Sequence, residues 1–188
     1  MELAALLSSF LQGLTAWLPR VVLVNVTQRA VRFRRGQEPV LLEPGFHWYL
    51  PLTTTVELTS ILLDASEFKP TVLPTSDGKT VAIGFVIVWK IDPKNVIKAA
   101  TTCDSPEGMI GEQGESLLPE IVAGHSNDEL LARIRGDRGM KTINSKLTAD
   151  ASSLLGEYGL TVVSARVNFL APTKVFRLLT DTPEVLTV

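Results

Sequence analysis

The chain has 188 residues, 45% of them hydrophobic, with a formal net charge of −2, one cysteine and two histidines. It is long enough to bury a real core in one ordinary domain or two small ones. The charge balance excludes the basic excess of a general nucleic-acid binder, and Cys103 alone excludes an intrachain disulfide framework or a Cys-rich metal site.

From Leu3 to Pro19 there is no charged residue. Leu3, Leu6, Leu7, Phe10, Leu11, Leu14, Trp17 and Leu18 fall at helical spacing on one stripe, with Ser, Gln, Thr and Ala opposite. A cleaved signal peptide would begin with Lys or Arg, whereas this chain begins with Glu2. A transmembrane helix needs about 20 apolar residues, and this stretch carries Gln12 and Gly13 at its centre. An interfacial helix or a helix packed on protein remains. Arg20, Arg29, Arg32, Arg34 and Arg35 follow before the next acid, Glu38. An apolar stripe with Trp17 near its end and arginines behind it suits a surface of anionic lipid. Leu3 to Leu18 are therefore expected to insert, with Arg20, Arg32, Arg34 and Arg35 at the headgroups. If the helix spans instead, the arginine excess keeps the remainder in the cytoplasm.

Beyond it, "VVLVNV" (21–26) predicts a strand and "TQRAVRFRR" a second, less regular one ending at Gly36. In "EPGFHWYLP" (43–51), Pro44-Gly45 has the chemistry of a type II turn. Phe46, Trp48 and Leu50 then alternate with His47 and Tyr49, as one buried strand face would require, and Pro51 stops the strand. "VELTSILLD" (56–64) and "EFKPTVL" (67–73) predict two more, the second at a sheet edge because it holds Pro70. Asp77-Gly78 predicts a hairpin turn. The strand after it is the clearest in the chain: Val81, Ile83, Phe85, Ile87, Trp89 and Ile91 share a face.

Asp92-Pro93 starts a helix. Ser105-Pro106 starts another, weakened by Gly108, Gly111, Gly114 and Pro119. Ser126 and Glu129 form a capping box for a helix that carries Leu130, Leu131, Ile134, Ile143, Leu147, Leu154 and Leu155 and ends near Gly159. "LTVVSARVNFL" (160–170) predicts a last strand with Val163, Ala165, Val167 and Phe169 on one face. Pro172 is expected to open a short helix.

No catalytic constellation emerges. "GKT" at 78–80 lacks the earlier glycine of a phosphate-binding loop, Leu73 standing there. "GMIGEQG" follows no strand, "GHSND" lacks the second glycine of a nucleophile elbow, and "RGD" at 135–137 falls inside a predicted helix. Cys103 has no nearby histidine and suits a packing role. His47 suits a strand position, and a hydrolase built on His47 or His125 is the weakest reading. No catalytic, cofactor or metal residue is expected.

In this order, "RAVRFRRG", "LEPGFHWYLP", "TSDGKTVAIGFVIVWKIDP", "LLPEIVAGHSNDELL" and "LGEYGLTVVSARVNFLAP" resemble the SPFH or Band 7 family of stomatins, prohibitins and flotillins, over about residues 20–172. The resemblance implies an α+β fold: a β-rich half (20–91), then helices packed on a small sheet (92–172). An N-terminal amphipathic helix (1–19) precedes these halves and a short C-terminal helix or tail (173–188) follows. It implies a non-enzymatic scaffold on the cytoplasmic face of a membrane. The implied partners are anionic membrane lipid, further copies of the chain and a membrane protease, without nucleic acid. On that resemblance the aromatics of 46–49 either seat the domain near headgroups or fill the core. Family members continue into an Ala/Glu-rich coiled coil, whereas no heptads follow Pro172 here, so a minimal form held by lateral domain contacts is expected. The alternative is a soluble regulator whose N-terminal helix contacts protein.

Overall fold

The computed structural model describes residues 18–135 and 137–173, with side chains for 18–132 and 139–173. Eight strands come in chain order with five helices between the seventh and the eighth. The strands are β1 (Arg20–Val24), β2 (Gln28–Arg34), β3 (Val40–Leu42), β4 (Gly45–Tyr49), β5 (Thr54–Ser60), β6 (Asp64–Pro74), β7 (Thr80–Ile91) and β8 (Leu160–Thr173). The helices are α1 (Val96–Thr102), α2 (Pro106–Glu115), α3 (Leu117–Ala123), α4 (Asn127–Arg135) and α5 (Asp137–Gly156). The strands form three antiparallel sheets, ordered β1-β4, β3-β2-β5 and β6-β7-β8. The fold is α+β, β-rich first and helical after.

The six alternating residues of β7 are all 4% exposed or less, as their period predicts. Against them pack Ile110 of α2, Ile121 and Val122 of α3, Leu130 of α4, and Ile143, Leu147, Ala151 and Leu155 of α5. The last four recur every four residues, which keeps them on one helical face. Burying side chains of this size contributes roughly 1.5–3 kcal/mol each. β2 lies between two cores: Val31 joins the main one, while Ala30 faces the other way to meet Val24 and Leu42. A small upper core is thus joined to a large lower one through β2, and also through β3, whose Leu41 packs on the large core and Leu42 in the small one.

Both outer strands of the main sheet are blunted. β6 is irregular between Phe68 and Thr71, where Lys69-Pro70 interrupts the register, in keeping with the edge position that Pro70 predicts. α5 closes β8: Thr148 Oγ1 accepts from the Ala165 N–H at 2.9 Å, and Asn144 Oδ1 accepts from the Val167 N–H at 3.0 Å.

Several details differ from expectation. Two register shifts in β8 break its simple alternation, so the core receives Ala165, Val167 and Leu170 while Val163 and Phe169 stand 50% and 45% exposed. Pro172 pairs with Val81 inside β8, and the short helix expected after it lies outside the described residues. β5 stops at Ser60, which leaves Leu62 and Leu63 exposed in the following loop. α4 and α5 flank Gly136, which lies outside the described residues, as does the side chain of Ile134. The capping box forms as predicted, Glu129 N–H to Ser126 Oγ and Ser126 N–H to Glu129 Oε2, both at 3.2 Å. Gly159 has φ +81°, and a Cβ there would sit 3.1 Å from backbone atoms of Asn95 and Ala99, so it serves both the turn and the close approach to α1.

Candidate membrane interface

Gly45 has φ +144°, a conformation that L side chains rarely adopt, and it turns the chain into β4. There β4 pairs with β1 in a fixed register: Arg20 with Tyr49, Val21 with Trp48, Val22 with His47, Leu23 with Phe46. Because successive side chains alternate across a strand, Val22, Val24, His47 and Tyr49 share one face of this ribbon, and Val21, Leu23, Phe46 and Trp48 share the other.

The expectation that Phe46, Trp48 and Leu50 form a buried face is reversed. Phe46 is 74% exposed and Trp48 68%, with Leu50, Leu23 and Val21 about half exposed beside them. His47 and Tyr49 point inward and are half-buried. The His47 ring donates from Nε2 to the Glu43 carbonyl at 2.7 Å, which satisfies its polar edge without a partner elsewhere in the fold. The inner face is already supplied by Val24 with Ala30 and Leu42. The ribbon is therefore inside out, with its more polar face against protein and its more apolar face open. Leu18, 58% exposed, precedes it on the chain.

The predicted arginines are not all equivalent. Arg29 is engaged, donating to the Gln28 carbonyl at 2.9 Å and lying 3.9 Å from Glu43. Arg32 and Arg34 line a cleft of about 220 Å³ with Pro19, Trp48, Tyr49, Leu50, Thr53 and Thr54. Arg34 and Arg35 border a second hollow beside Pro51 and Leu52. Arg20 opens β1, exposed. Of the predicted insertion residues, Leu3, Leu6, Leu7, Phe10, Leu11, Leu14 and Trp17 lie outside the described residues.

The remaining motifs resolve into architecture. Asp77, in the β6–β7 turn, accepts from the Thr75 hydroxyl and from the Asn127 N–H at the start of α4. Lys79 adds ion pairs to Asp77 at 3.3 Å and Asp128 at 3.4 Å. The Thr75 hydrogen bond, aided by Asn127 and Lys79, holds the Asp77 carboxyl down to about 2. His125 donates from Nδ1 to the Ile121 carbonyl at 2.8 Å. A groove of about 570 Å³ runs from the β5–β6 loop to α1 and α2, with Leu62 and Leu63 on its rim, Glu57, Asp64, Asp104 and Glu107 around it, and Cys103 on its floor. Burial there, with Asp104 adjacent, pushes the Cys103 thiol up. Among the described residues no group of three metal-ligating side chains occurs, and no helix is long and apolar enough to cross a membrane.

The model of the SPFH domain / Band 7 family matches residues 22–178. The chain belongs to this family. A search of curated proteins finds no match. SPFH/Band 7 proteins are generally non-enzymatic, membrane-associated scaffolds. The exposed apolar face of the ribbon was hard to read in the sequence, because "VVLV" is apolar at every position and has no alternation to orient it.

Proposed function

We propose that the protein is a non-enzymatic scaffold that binds the cytoplasmic face of a membrane and associates laterally with further copies of itself. The observation that carries the membrane part is the outward face of the ribbon: Val21, Leu23, Phe46, Trp48 and Leu50 in one exposed apolar strip. Full burial of such side chains contributes roughly 1.5–3 kcal/mol each, so sinking this half-exposed strip is worth on the order of 5 kcal/mol. Arg34 and Arg35 border the hollows next to Trp48, Leu50 and Leu52, and with Arg20 at the start of β1 they have no ion pair among the described residues, which suits anionic headgroups. The uncharged stripe Leu3–Leu18, which precedes β1 in the chain, would add a second anchor. With both edges of the main sheet blunted, neighbouring copies would meet through side chains rather than by strand addition.

The test is liposome flotation of the full-length protein on neutral and anionic vesicles, beside a 20–188 truncation and the double variant Phe46→Ser/Trp48→Ser. The parent floats, more so on anionic lipid. The double variant floats less with an unchanged melting temperature, because neither side chain supports the core. If the parent stays at the bottom, the membrane reading falls and the apolar strip becomes a protein contact. Sedimentation of the floated fraction after detergent extraction reads the self-association: a monomer alone would sink that part.

A further inference from the structure

Arg32 and Arg34 are two residues apart on β2 and so project from the same face of the strand. Arg32 is half-buried, yet neither guanidinium has a hydrogen-bond or ion-pair partner among the described residues. Two like charges on one wall of a cleft repel each other, and neither has an acceptor to offset this among the described residues. No carboxylate lines that cleft. Trp48, Tyr49 and Leu50 also line it, and Thr53 and Thr54 add hydroxyls whose oxygens lie 3.4 Å apart. At about 220 Å³ the cleft has room for several waters, and its rim merges with the exposed apolar strip through Trp48 and Leu50.

We propose that this cleft is a phosphate-monoester site, and that its ligand is the terminal phosphate of an anionic lipid whose acyl chains lie along the ribbon. Four features define the class. Two neighbouring guanidiniums match the doubly charged state that a monoester approaches near neutral pH. The forked donors of arginine fit phosphate oxygens two at a time. The threonine hydroxyls supply further donors. The apolar rim favours a ligand with a hydrocarbon tail, where a soluble phosphate would leave Trp48 and Leu50 in water. A phosphodiester carries one charge and a substituent on each side, and fits the pair of arginines less well. The lipid source rests on the membrane reading above, whereas the phosphate chemistry does not.

The experiment uses the full-length protein with phosphatidylcholine vesicles doped with phosphatidic acid or, at equal total charge, with phosphatidylglycerol. The parent prefers the phosphatidic acid vesicles about tenfold, the scale of one charge-assisted hydrogen-bonded contact. Arg32→Gln abolishes that preference while binding to phosphatidylglycerol persists. Arg32→Lys recovers only part of it. The exposed-site variant Arg34→Gln keeps the result interpretable if Arg32 variants melt early, and Lys146→Gln on α5 serves as the distant charge control. Equal binding of the parent to the two anionic vesicles, with flotation intact, overturns the inference and leaves the membrane reading standing. Equal losses of binding in Arg32→Gln and Lys146→Gln overturn it in the same way. If no vesicle is bound, the lipid assignment is overturned with the membrane reading. Inorganic phosphate then decides the chemistry: a rise in melting temperature that Arg32→Gln removes retains a free phosphate site, and no rise rejects it.

Discussion

Asp77 ties a hairpin turn to a helix fifty residues away in the chain, and its charge is what makes the tie work. Its carboxyl is held at about 2 against an ordinary 3.8, so the ionised form favours the folded state. That contribution is complete above about pH 4 and fades as the pH falls toward 2. Asp77→Asn should therefore melt below the parent near neutral pH, and the gap should close toward pH 2; an equal gap at both pH values would show that charge is not the cause. The turn itself was legible, since Asp77-Gly78 is a strong local signal and Gly78 has φ +73°. Its partners Asn127 and Asp128 were not, because nothing local connects them. Gly114 makes the same point through space rather than charge. It looked like a weakness in α2, but a Cβ there would come within 2.3 Å of the Phe68 ring, and that ring is stacked on Phe85 with centroids 4.1 Å apart. Gly114→Ala should cost about 1–3 kcal/mol by denaturant unfolding; a neutral result would mean that the Phe68–Phe85 stack can slide.

Among the elements, β7 was readable residue by residue because its core face is both periodic and uninterrupted. β8 was not, because each of its two register shifts changes which residues face inward. Val163 and Phe169 are apolar at alternate positions, yet the bulges turn them outward. β4 misled for a different reason. Hydrophobicity ranks Phe46 and Trp48 as the inner residues only if water is the outer solvent, and the structure reverses that order, leaving both exposed. The seal that α5 places on β8 was invisible, since Asn144 and Thr148 look like ordinary polar residues of a helix surface. It is open to test. Thr148→Val keeps the shape and removes the acceptor for the Ala165 N–H, so about 1–3 kcal/mol of stability should be lost. Urea unfolding with an unchanged slope would measure this directly, and no change would mean that water replaces the hydroxyl.

For the molecule as a whole, stability is uneven. The lower core gathers one sheet and all five helices, whereas the ribbon rests on Val24, Ala30 and Leu42 with little else. A two-stranded sheet is marginal in water by itself, so local opening of β1 and β4 should need less free energy than global unfolding. Hydrogen exchange should show their amides exchanging well before those of β7, and slowing when anionic vesicles are added. Equal protection without lipid would contradict this division of the fold. The blunted edges of the main sheet bear on a different hazard. Any protein gathered on a surface is raised to a local concentration at which exposed strands find one another, and open sheets then grow into irreversible fibres. Here Lys69-Pro70 spoils one edge of the main sheet and α5 bonds along the other, so if copies crowd on a surface this sheet offers no clean edge for strand addition. A coat of such domains could be dense and still come apart.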